Sequence, residues 1–422
     1  GDLDDTLILI LSDNGACQEG GSHGFINAMG PYNFRPESIA EKLARIDDIG
    51  GPDTHSNFPH GWAMASNTPL RRYKQNTHGG GIRDPLVISW PARIAARGEL
   101  RHQFCHASDM APTILDLVGV TAPSHVNGVA QMPIEGVSFA PSLADANAPA
   151  RPKPQYFEMF GHRGLWKDGW KAVAFHPVNT PFEDDVWELY HLDRDFSETD
   201  DLAAKEPERL KALIAEWWAA AEAHNVLPLD DRFGLRFLDS AKRNAARRRF
   251  VFHRGVGHVP TDAAPDVRGR SYLIEADVRL KAGDEGVLIA HGDATSGYAL
   301  FVRDGRLIYD LNIGGEHQML VSDRAVPEGD HVLAVLMRQE GAVKTATLTI
   351  DGAPCGTFQP QHGFFALISW SGLDIGRDRG SPVSTYASPF VFTGLLRKVT
   401  VTMNPDQVLD GEAAGQAEMA RQ

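Results

Sequence analysis

Two polar side chains, Asp13 and Asn14, directly follow a run of apolar residues near the start of the sequence. The run, residues 5–12, is nearly continuous and predicts a strand covered on both faces in a parallel sheet. In such sheets, ligands gather beyond the carboxyl ends of the strands. A carboxylate beside an amide carbonyl offers two hard oxygen ligands for calcium or magnesium. In the alternative interpretation, Asn14 and Gly15 only form a turn that reverses the chain.

A second group of residues suited to chemistry lies in the segment 67–91, which is rich in basic residues and glycine. Lys74 and His78 precede three glycines, residues 79–81, and glycines let the backbone approach a ligand closely. Because its ammonium group is a compact positive charge, Lys74 is suited to hold an anionic oxygen. The alternative is that Lys74 is a surface residue and the glycines form a flexible loop.

Alternating strand-like and helix-like patterns run through residues 1–235 and predict an α/β fold. Residues 85–91 repeat the pattern of a buried strand, and residues 108–119 predict a helix that stops at a glycine. Short strands are predicted within 155–192. A helix with proline in its first turn is predicted near 207–223.

From about residue 266 the apolar period changes to two, which predicts a β-sandwich. Asp304-Gly305 and Asp351-Gly352 are typical of two-residue hairpin turns. The Arg-rich stretch 236–265 is interpreted as the linker between the two halves.

The composition excludes several classes of protein. Lys plus Arg number 41 against 55 Asp plus Glu, a net charge of −14, which argues against a nucleic-acid binder. No apolar run in the sequence reaches membrane-spanning length. The three cysteines make neither a disulfide framework nor a zinc pattern, and they are compatible with both cytoplasm and periplasm.

Four segments together carry a more specific signal: "LILSDNGACQEGG", "GWAMASNTPLRRYKQNTHGGGIRDPLVISWP", "DMAPTILDLVGV" and "WELYHLDRDFSETDDLAAKEPERLKAL". In this order, across roughly residues 3–233, they resemble the C-terminal part of type I sulfatases, most closely bacterial arylsulfatases of the alkaline phosphatase-like superfamily. The later strands are similar in rhythm to laminin-G-like or concanavalin-like sandwiches. The expected parts are 1–120, the C-terminal part of the catalytic α/β domain; 121–235, a subdomain with a small antiparallel sheet and a helix; 236–265, a linker; 266–405, the sandwich; and 406–422, a tail.

The resemblance implies roles for particular residues. Asp13 and Asn14 match two ligands of a divalent cation, usually calcium in bacterial members, with magnesium as the alternative. Lys74 matches a lysine that contacts the sulfate group and the leaving-group oxygen, and His78 is expected to shape the pocket. Many relatives have Glu-Gly-Gly where this chain has three glycines, residues 79–81, which leaves open what positions this loop. In the sandwich, a packing role is favoured over a sugar site formed by His291, Asp293 and Trp370.

Type I sulfatases attack sulfur with a formylglycine made from the Cys or Ser that opens a Cys/Ser-x-Pro-x-Arg motif. None of Cys17, Cys105 and Cys355 opens such a motif. The nucleophile is therefore expected in a missing N-terminal portion, present as a companion chain, and the expected substrate is a small sulfate ester. Two alternatives remain: a phosphonate or phosphodiester hydrolase of the same superfamily, and a non-catalytic remnant that binds sulfated glycans.

Overall fold

The computed structural model describes residues 2–95, 97–232, 246–341 and 343–408. The α-helices in these residues are α1 Met29–Tyr32, α2 Ile39–Ala44, α3 His60–Asn67, α4 Gly79–Ile82, α5 Met110–Val118, α6 Ala140–Ala144 and α7 Pro207–Ala223. The strands are β1 Ile8–Leu11, β2 Leu86–Ser89, β3 His125–Val126, β4 Val129–Ala130, β5 Gln155–Met159, β6 His162–Lys167, β7 Trp170–Ala174, β8 Trp187–His191, β9 Arg249–His253, β10 Tyr272–Leu280, β11 Gly286–Asp293, β12 Ser296–Arg303, β13 Arg306–Ile313, β14 Glu316–Val321, β15 Gly329–Glu340, β16 Val343–Ile350, β17 Ala353–Phe358, β18 Leu373–Ile375 and β19 Leu395–Met403.

The chain forms two compact units, and neither is continuous in sequence. Unit 1 comprises the described residues of 1–17 and 61–232, and unit 2 comprises those of 18–60 and 233–422. Unit 1 mixes helices with small sheets, whereas unit 2 is dominated by strands. The predicted fold class, an α/β part followed by a β-sandwich, is confirmed.

Strands β1 and β2 of unit 1 form a two-stranded sheet that differs from the prediction. They pair antiparallel, with Leu11 opposite Leu86. Apolar side chains on this sheet are solvent-exposed: Ile10 is 62% and Val87 is 59% exposed. The prediction of a parallel sheet covered on both faces is therefore wrong for this pair within the described residues. An apolar run indicates where burial is needed, but it does not encode the direction of the partner strand.

A four-stranded antiparallel sheet, in the order β5-β6-β7-β8, forms the other part of unit 1. Helix α7 packs on it through Leu213 and Trp217, which contact Leu165 and Leu189 of the sheet core. Pro207 occupies the first turn of α7, as predicted. No helix within the described residues has both the length and the apolar character needed to cross a membrane.

Unit 2 is a β-sandwich of two antiparallel sheets. One sheet has the order β17-β16-β15-β10-β19-β9, the other the order β14-β13-β12-β11-β18, and one hydrophobic core draws on both. The two hairpins predicted from Asp-Gly pairs are confirmed. Asp304-Gly305 joins β12 to β13 and Asp351-Gly352 joins β16 to β17, with positive φ at all four residues.

Two of the predicted domain boundaries are corrected. Segment 18–60 was assigned to the catalytic part but belongs to the sandwich unit, where Asn27 Nδ2 donates to the carbonyl oxygen of Thr295 at 3.0 Å. The predicted linker 236–265 contains β9, which pairs with β19 at the edge of the sandwich. Residues 241–245 of its Arg-rich stretch, and most of the predicted tail, lie outside the described residues.

Candidate active site

The Asp13–Asn14 turn is fixed to a second segment of unit 1 by backbone hydrogen bonds. Ser12 N donates to Pro85 O at 3.4 Å, and Gly15 N donates to Gly81 O at 3.2 Å. Gly15 does not have a positive φ, so it does not form the chain-reversing turn of the alternative interpretation. It is required for a close approach instead, because a Cβ at Gly15 would lie 1.6 Å from the carbonyl oxygen of Gly80.

The lysine loop, defined here as residues 71–82, is held against the same turn. Lys74 N donates to Ala16 O at 3.1 Å, and Ala16 N donates to Asn67 Oδ1 at 3.1 Å. Asp13, Asn14 and Lys74 line one cavity of about 1330 Å³. The structure thus brings three of the four predicted site residues to a common space.

The three glycines of the lysine loop serve its internal packing. A Cβ at Gly80 would lie 2.1 Å from the carbonyl oxygen of Arg72, and one at Gly81 would lie 2.0 Å from that of Asn76. Substituted at either position, the loop would have to move its own backbone. The glycines therefore form a compact one-turn helix, α4, and the alternative of a flexible glycine loop is not what the structure contains.

His78, the fourth predicted residue, is buried and does not line the cavity. Its Nε2 lies 2.9 Å from Glu188 Oε2, which also accepts from Arg71 Nη1 at 3.0 Å and from Tyr190 OH at 2.8 Å. Burial opposes ionisation of Glu188, but the hydrogen bonds from His78, Tyr190 and Arg71 lower its pKa to about 2. Burial lowers the pKa of His78. His78 can thus affect the cavity only through the loop that carries it.

A second buried carboxylate, Glu198, lies on the other side of the lysine loop. Its Oε1 accepts from Lys171 Nζ at 2.6 Å and its Oε2 from Gly79 N at 2.9 Å. The side chains of Lys171 and Glu198 are 2% and 1% exposed. Burial alone would raise the pKa of Glu198, but Lys171 and the Gly79 amide hold it below its ordinary value. This pair answers what positions the loop at the first of its three glycines.

Asp84 is a cavity residue to which the sequence assigned no role. It directly precedes β2 at the edge of the sheet where Asp13 follows β1. Burial, and secondly the charge of Asp13, raise the pKa of Asp84 to about 6. The acidic residue just before a predicted strand was the available signal. Glu188 and Glu198, also unpredicted, lacked one because their partners are distant in sequence.

The oxygen donors at this edge suit a divalent cation. Asp13 and Asn14 offer a carboxylate and an amide oxygen to the cavity, and the raised pKa of Asp84 reports a local excess of negative charge. Calcium takes six to eight oxygens, so these residues would hold it together with further ligands. Among the described residues, no group of three or more His, Cys, Asp or Glu side chains is arranged to hold a metal.

One sequence pattern was overlooked in the search for the nucleophile. Ser89-Trp90-Pro91-Ala92-Arg93 fits the serine form of the Cys/Ser-x-Pro-x-Arg motif. Ser89, however, ends β2 opposite Ile8, whereas the Asp13 edge begins at the other end of that strand, beside Leu86. At the usual rise per residue, Ser89 lies roughly 10 Å along the strand from Leu86. This geometry does not favour Ser89 as the nucleophile of the Asp13–Lys74 site.

The three sandwich residues considered for a sugar site have different surroundings. His291 is buried, with Nε2 3.0 Å from Thr261 Oγ1. The Asp293 carboxylate accepts hydrogen bonds from Ser369 and Ser371, and Trp370 is 54% exposed.

Comparisons with known proteins agree with the geometry of unit 1. Residues 1–120 match the family model described as Sulfatase, and residues 73–219 match the model described as N-sulphoglucosamine sulphohydrolase, C-terminal. An uncharacterized sulfatase of Schizosaccharomyces pombe is 29% identical over 226 residues, which are 53% of this chain and 39% of that protein.

Two further relatives have names that specify an activity. The arylsulfatase of Klebsiella aerogenes is 27% identical over 157 residues, 37% of this chain and 31% of that enzyme. The N-acetylgalactosamine-6-sulfatase of Sus scrofa is 29% identical over 171 residues, 35% of this chain and 31% of that enzyme. The chain spans well under two thirds of the length of each of these relatives. Residues 1–219 therefore belong to the type I sulfatase family and represent the C-terminal portion of its fold.

Proposed function

We propose that this chain supplies part of the active site of a metal-dependent sulfatase that hydrolyses sulfate esters. One observation carries the proposal: backbone hydrogen bonds lock the Asp13–Asn14 turn to the lysine loop, and the side chains of Asp13, Asn14 and Lys74 line the same cavity. The sulfatase names of the relatives support sulfate esters as the substrate class.

In this proposal each residue of the chain has a defined task. Asp13 and Asn14 hold a divalent cation, calcium or magnesium, through their oxygens. When bound, the cation supplies positive charge that polarises the sulfate group. Lys74 donates to a sulfate oxygen and to the oxygen that bridges sulfur and the leaving group, where negative charge grows as the bond breaks. His78 holds the loop through Glu188.

The nucleophile, a formylglycine, is assigned to an N-terminal portion of the sulfatase domain that is not part of this chain. The exposed apolar side chains of the β1–β2 sheet support such a companion. Ile10, Leu11 and Val87 are 62%, 45% and 59% exposed, and exposed apolar patches on sheets mark surfaces that pack against other protein. The companion would also contribute the remaining metal ligands.

The test uses the intact protein, in which this chain is joined or bound to the N-terminal portion. We expect hydrolysis of an aryl sulfate to exceed that of the matching aryl phosphate and phosphonate esters. Lys74→Ala should lower kcat by about 10²–10³-fold, the cost of removing one preorganised donor. The matched control is Lys205→Ala, because this lysine of unit 1 is 65% exposed and far from the cavity lining.

Three outcomes would contradict parts of the proposal. Full turnover in Lys74→Ala would remove the role of the lysine, and a preference for phosphate or phosphonate esters would replace the substrate class. Binding of sulfated glycans without any turnover would identify a non-catalytic protein. Intact-mass measurement checks the companion separately: a polypeptide whose motif cysteine is about 18 Da too light carries the formylglycine.

A further inference from the structure

Lys171 and Glu198 form an ion pair that is almost completely shielded from solvent. Such pairs contribute little net stability, because removing two charges from water costs about as much as their attraction returns. Stability alone therefore gives no reason for a charged pair at this place. What distinguishes the pair is its geometry, since the second oxygen of Glu198 accepts the amide hydrogen of Gly79.

Gly79 begins α4 and lies at the end of the lysine loop that faces away from Arg71. The other end is held by Arg71, whose Nη1 donates to Glu188 Oε2 at 3.0 Å and to the carbonyl oxygen of Glu198 at 3.3 Å. Lys74 lies between these anchors. Its only covalent links to fixed points are thus the stretches of backbone that Glu188 and Glu198 hold.

The same anchor reaches the other half of the candidate site. Helix α4, which starts at the amide held by Glu198, ends beside Gly81, whose carbonyl oxygen accepts from Gly15 N. Gly15 directly follows Asn14. A displacement of Gly79 would therefore move both the lysine loop and the turn that carries the two oxygen donors.

Resting on the proposed function, we propose that Glu198, oriented by Lys171, is a positioning residue that sets the place of Lys74 relative to the Asp13–Asn14 turn. Glu198 does not touch the substrate in this proposal. It acts through the Gly79 amide, and Lys171 acts by fixing the rotamer of the Glu198 carboxylate. Small misplacements of a group that stabilises a transition state cost on the order of 10²-fold in rate.

A merely structural pair would behave differently in a double substitution. Glu198→Gln alone leaves Lys171 buried without its carboxylate partner, which should lower the thermal midpoint. Lys171→Met combined with Glu198→Gln removes both charges and leaves none unpaired, so the midpoint should recover. Position is not recovered, because a glutamine without the ammonium group is no longer fixed beside Gly79.

The experiment measures kcat and KM of the intact protein on an aryl sulfate, together with the thermal midpoint. In Glu198→Gln and in the double variant we expect kcat to fall about 10²-fold, while the midpoint of the double variant returns to that of the wild type. The control is the double substitution Lys167→Met/Glu216→Gln, which removes a pair of the same residue types at 2.9 Å with side chains 42% and 32% exposed. It should leave kcat unchanged.

Hydrogen–deuterium exchange of the 422-residue chain provides a readout that does not need activity. Amides of residues 74–82 should exchange faster in the double variant than in the wild type, and those of the control should not change. Recovery of kcat together with the midpoint, or unchanged exchange in residues 74–82, would overturn the positioning role. If the wild-type protein hydrolyses no sulfate ester, the proposed function fails, and the exchange measurement still decides whether Glu198 positions the loop.

Discussion

Gly15 and Gly80 lie so close that a Cβ on Gly15 would come within 1.6 Å of the carbonyl oxygen of Gly80. This approach joins the turn that follows β1 to the helix that ends the lysine loop. It also explains why glycine follows Asn14 without adopting a positive φ. The two halves of the candidate site are thus built on a backbone contact that tolerates no side chain.

Gly15→Ala should therefore destabilise unit 1 by about 3 kcal/mol or more, since a backbone must move to admit the methyl group. Urea unfolding of the chain measures the change. Gly61→Ala is the control, because nothing lies within 4 Å of a Cβ at that position and Gly61 is in helix α3. It should be neutral or should stabilise by about 0.5–1 kcal/mol. Equal effects of the two substitutions would contradict the close approach.

Asp84 should make unit 1 sensitive to pH in the absence of a divalent cation. Burial and Asp13 raise its folded pKa to about 6 from an ordinary 3.8, so the folded state retains a proton that the unfolded state has lost. The resulting cost appears above pH 3.8, grows until about pH 6 and is then constant. At pH 7, Asp84→Asn should raise the unfolding free energy on the order of 1 kcal/mol, allowing for solvent screening.

Near pH 4 the same substitution should have almost no effect, which serves as the internal control. Millimolar calcium should reduce the difference at pH 7, because a cation at Asp13 offsets the charge that Asp84 experiences. A difference independent of pH between 4 and 7 would show that Asp84 is not coupled to this edge.

His317 should give the sandwich the opposite kind of titration. Its hydrogen bond to Asp310, at 2.7 Å, raises the pKa of His317 although burial opposes this. A histidine with a raised folded pKa stabilises fully below its unfolded value of 6.5, and the contribution is lost as pH rises through the folded pKa. His317→Gln should remove this loss, which is about 1.5 kcal/mol for a hydrogen bond to a buried charge.

Unfolding of the chain followed between pH 6 and 9 measures the effect. His331→Gln is the comparison, because Asp351, its partner, is 52% exposed and the pair is screened by water. A wild-type sandwich whose stability does not fall above pH 6.5 would contradict the assigned protonation of His317.

Asn33 tests the assignment of segment 18–60 to the sandwich. Its Nδ2 donates to Leu367 O at 2.9 Å and its Oδ1 accepts from Phe365 N at 2.8 Å. Asn33→Ala leaves these buried groups unpaired and should lower the unfolding free energy of the sandwich by about 2–3 kcal/mol. Asn57→Ala is the control, since the Nδ2 of Asn57 makes only a 3.4 Å contact with Tyr32 OH. Equal losses would mean that the segment is not held through Asn33.

Local patterns predicted the elements whose determinants are short in range. The Asp304-Gly305 turn requires positive φ at two adjacent residues, which the residue types announce. Helix α7 begins at Pro207 because proline lacks an amide hydrogen that a first turn leaves unused anyway. The proximity of Asp13 and Lys74 was expected from family resemblance, and it was not derivable from either segment alone.

Features that depend on partners far away in sequence were not predictable. The antiparallel pairing of β1 with β2 is decided by how the intervening chain returns, which an apolar pattern does not record. Glu198 and Lys171 look like ordinary surface charges in sequence, and only folding encloses them. The glycines, residues 79–81, indicated a close approach correctly but gave no sign that the approaching atoms belong to the loop itself.

The interrupted course of segment 18–60 has a consequence for how the protein is made. During synthesis this segment emerges soon after β1, yet the strands it packs against are translated more than two hundred residues later. Domains generally fold as units while the ribosome is still working. Here β1 and the lysine loop can reach each other early, while the stretch between them waits outside, its apolar side chains Met29 and Tyr32 uncovered until the sandwich is complete. A chaperone that shields this waiting stretch would act at the most vulnerable moment of biogenesis.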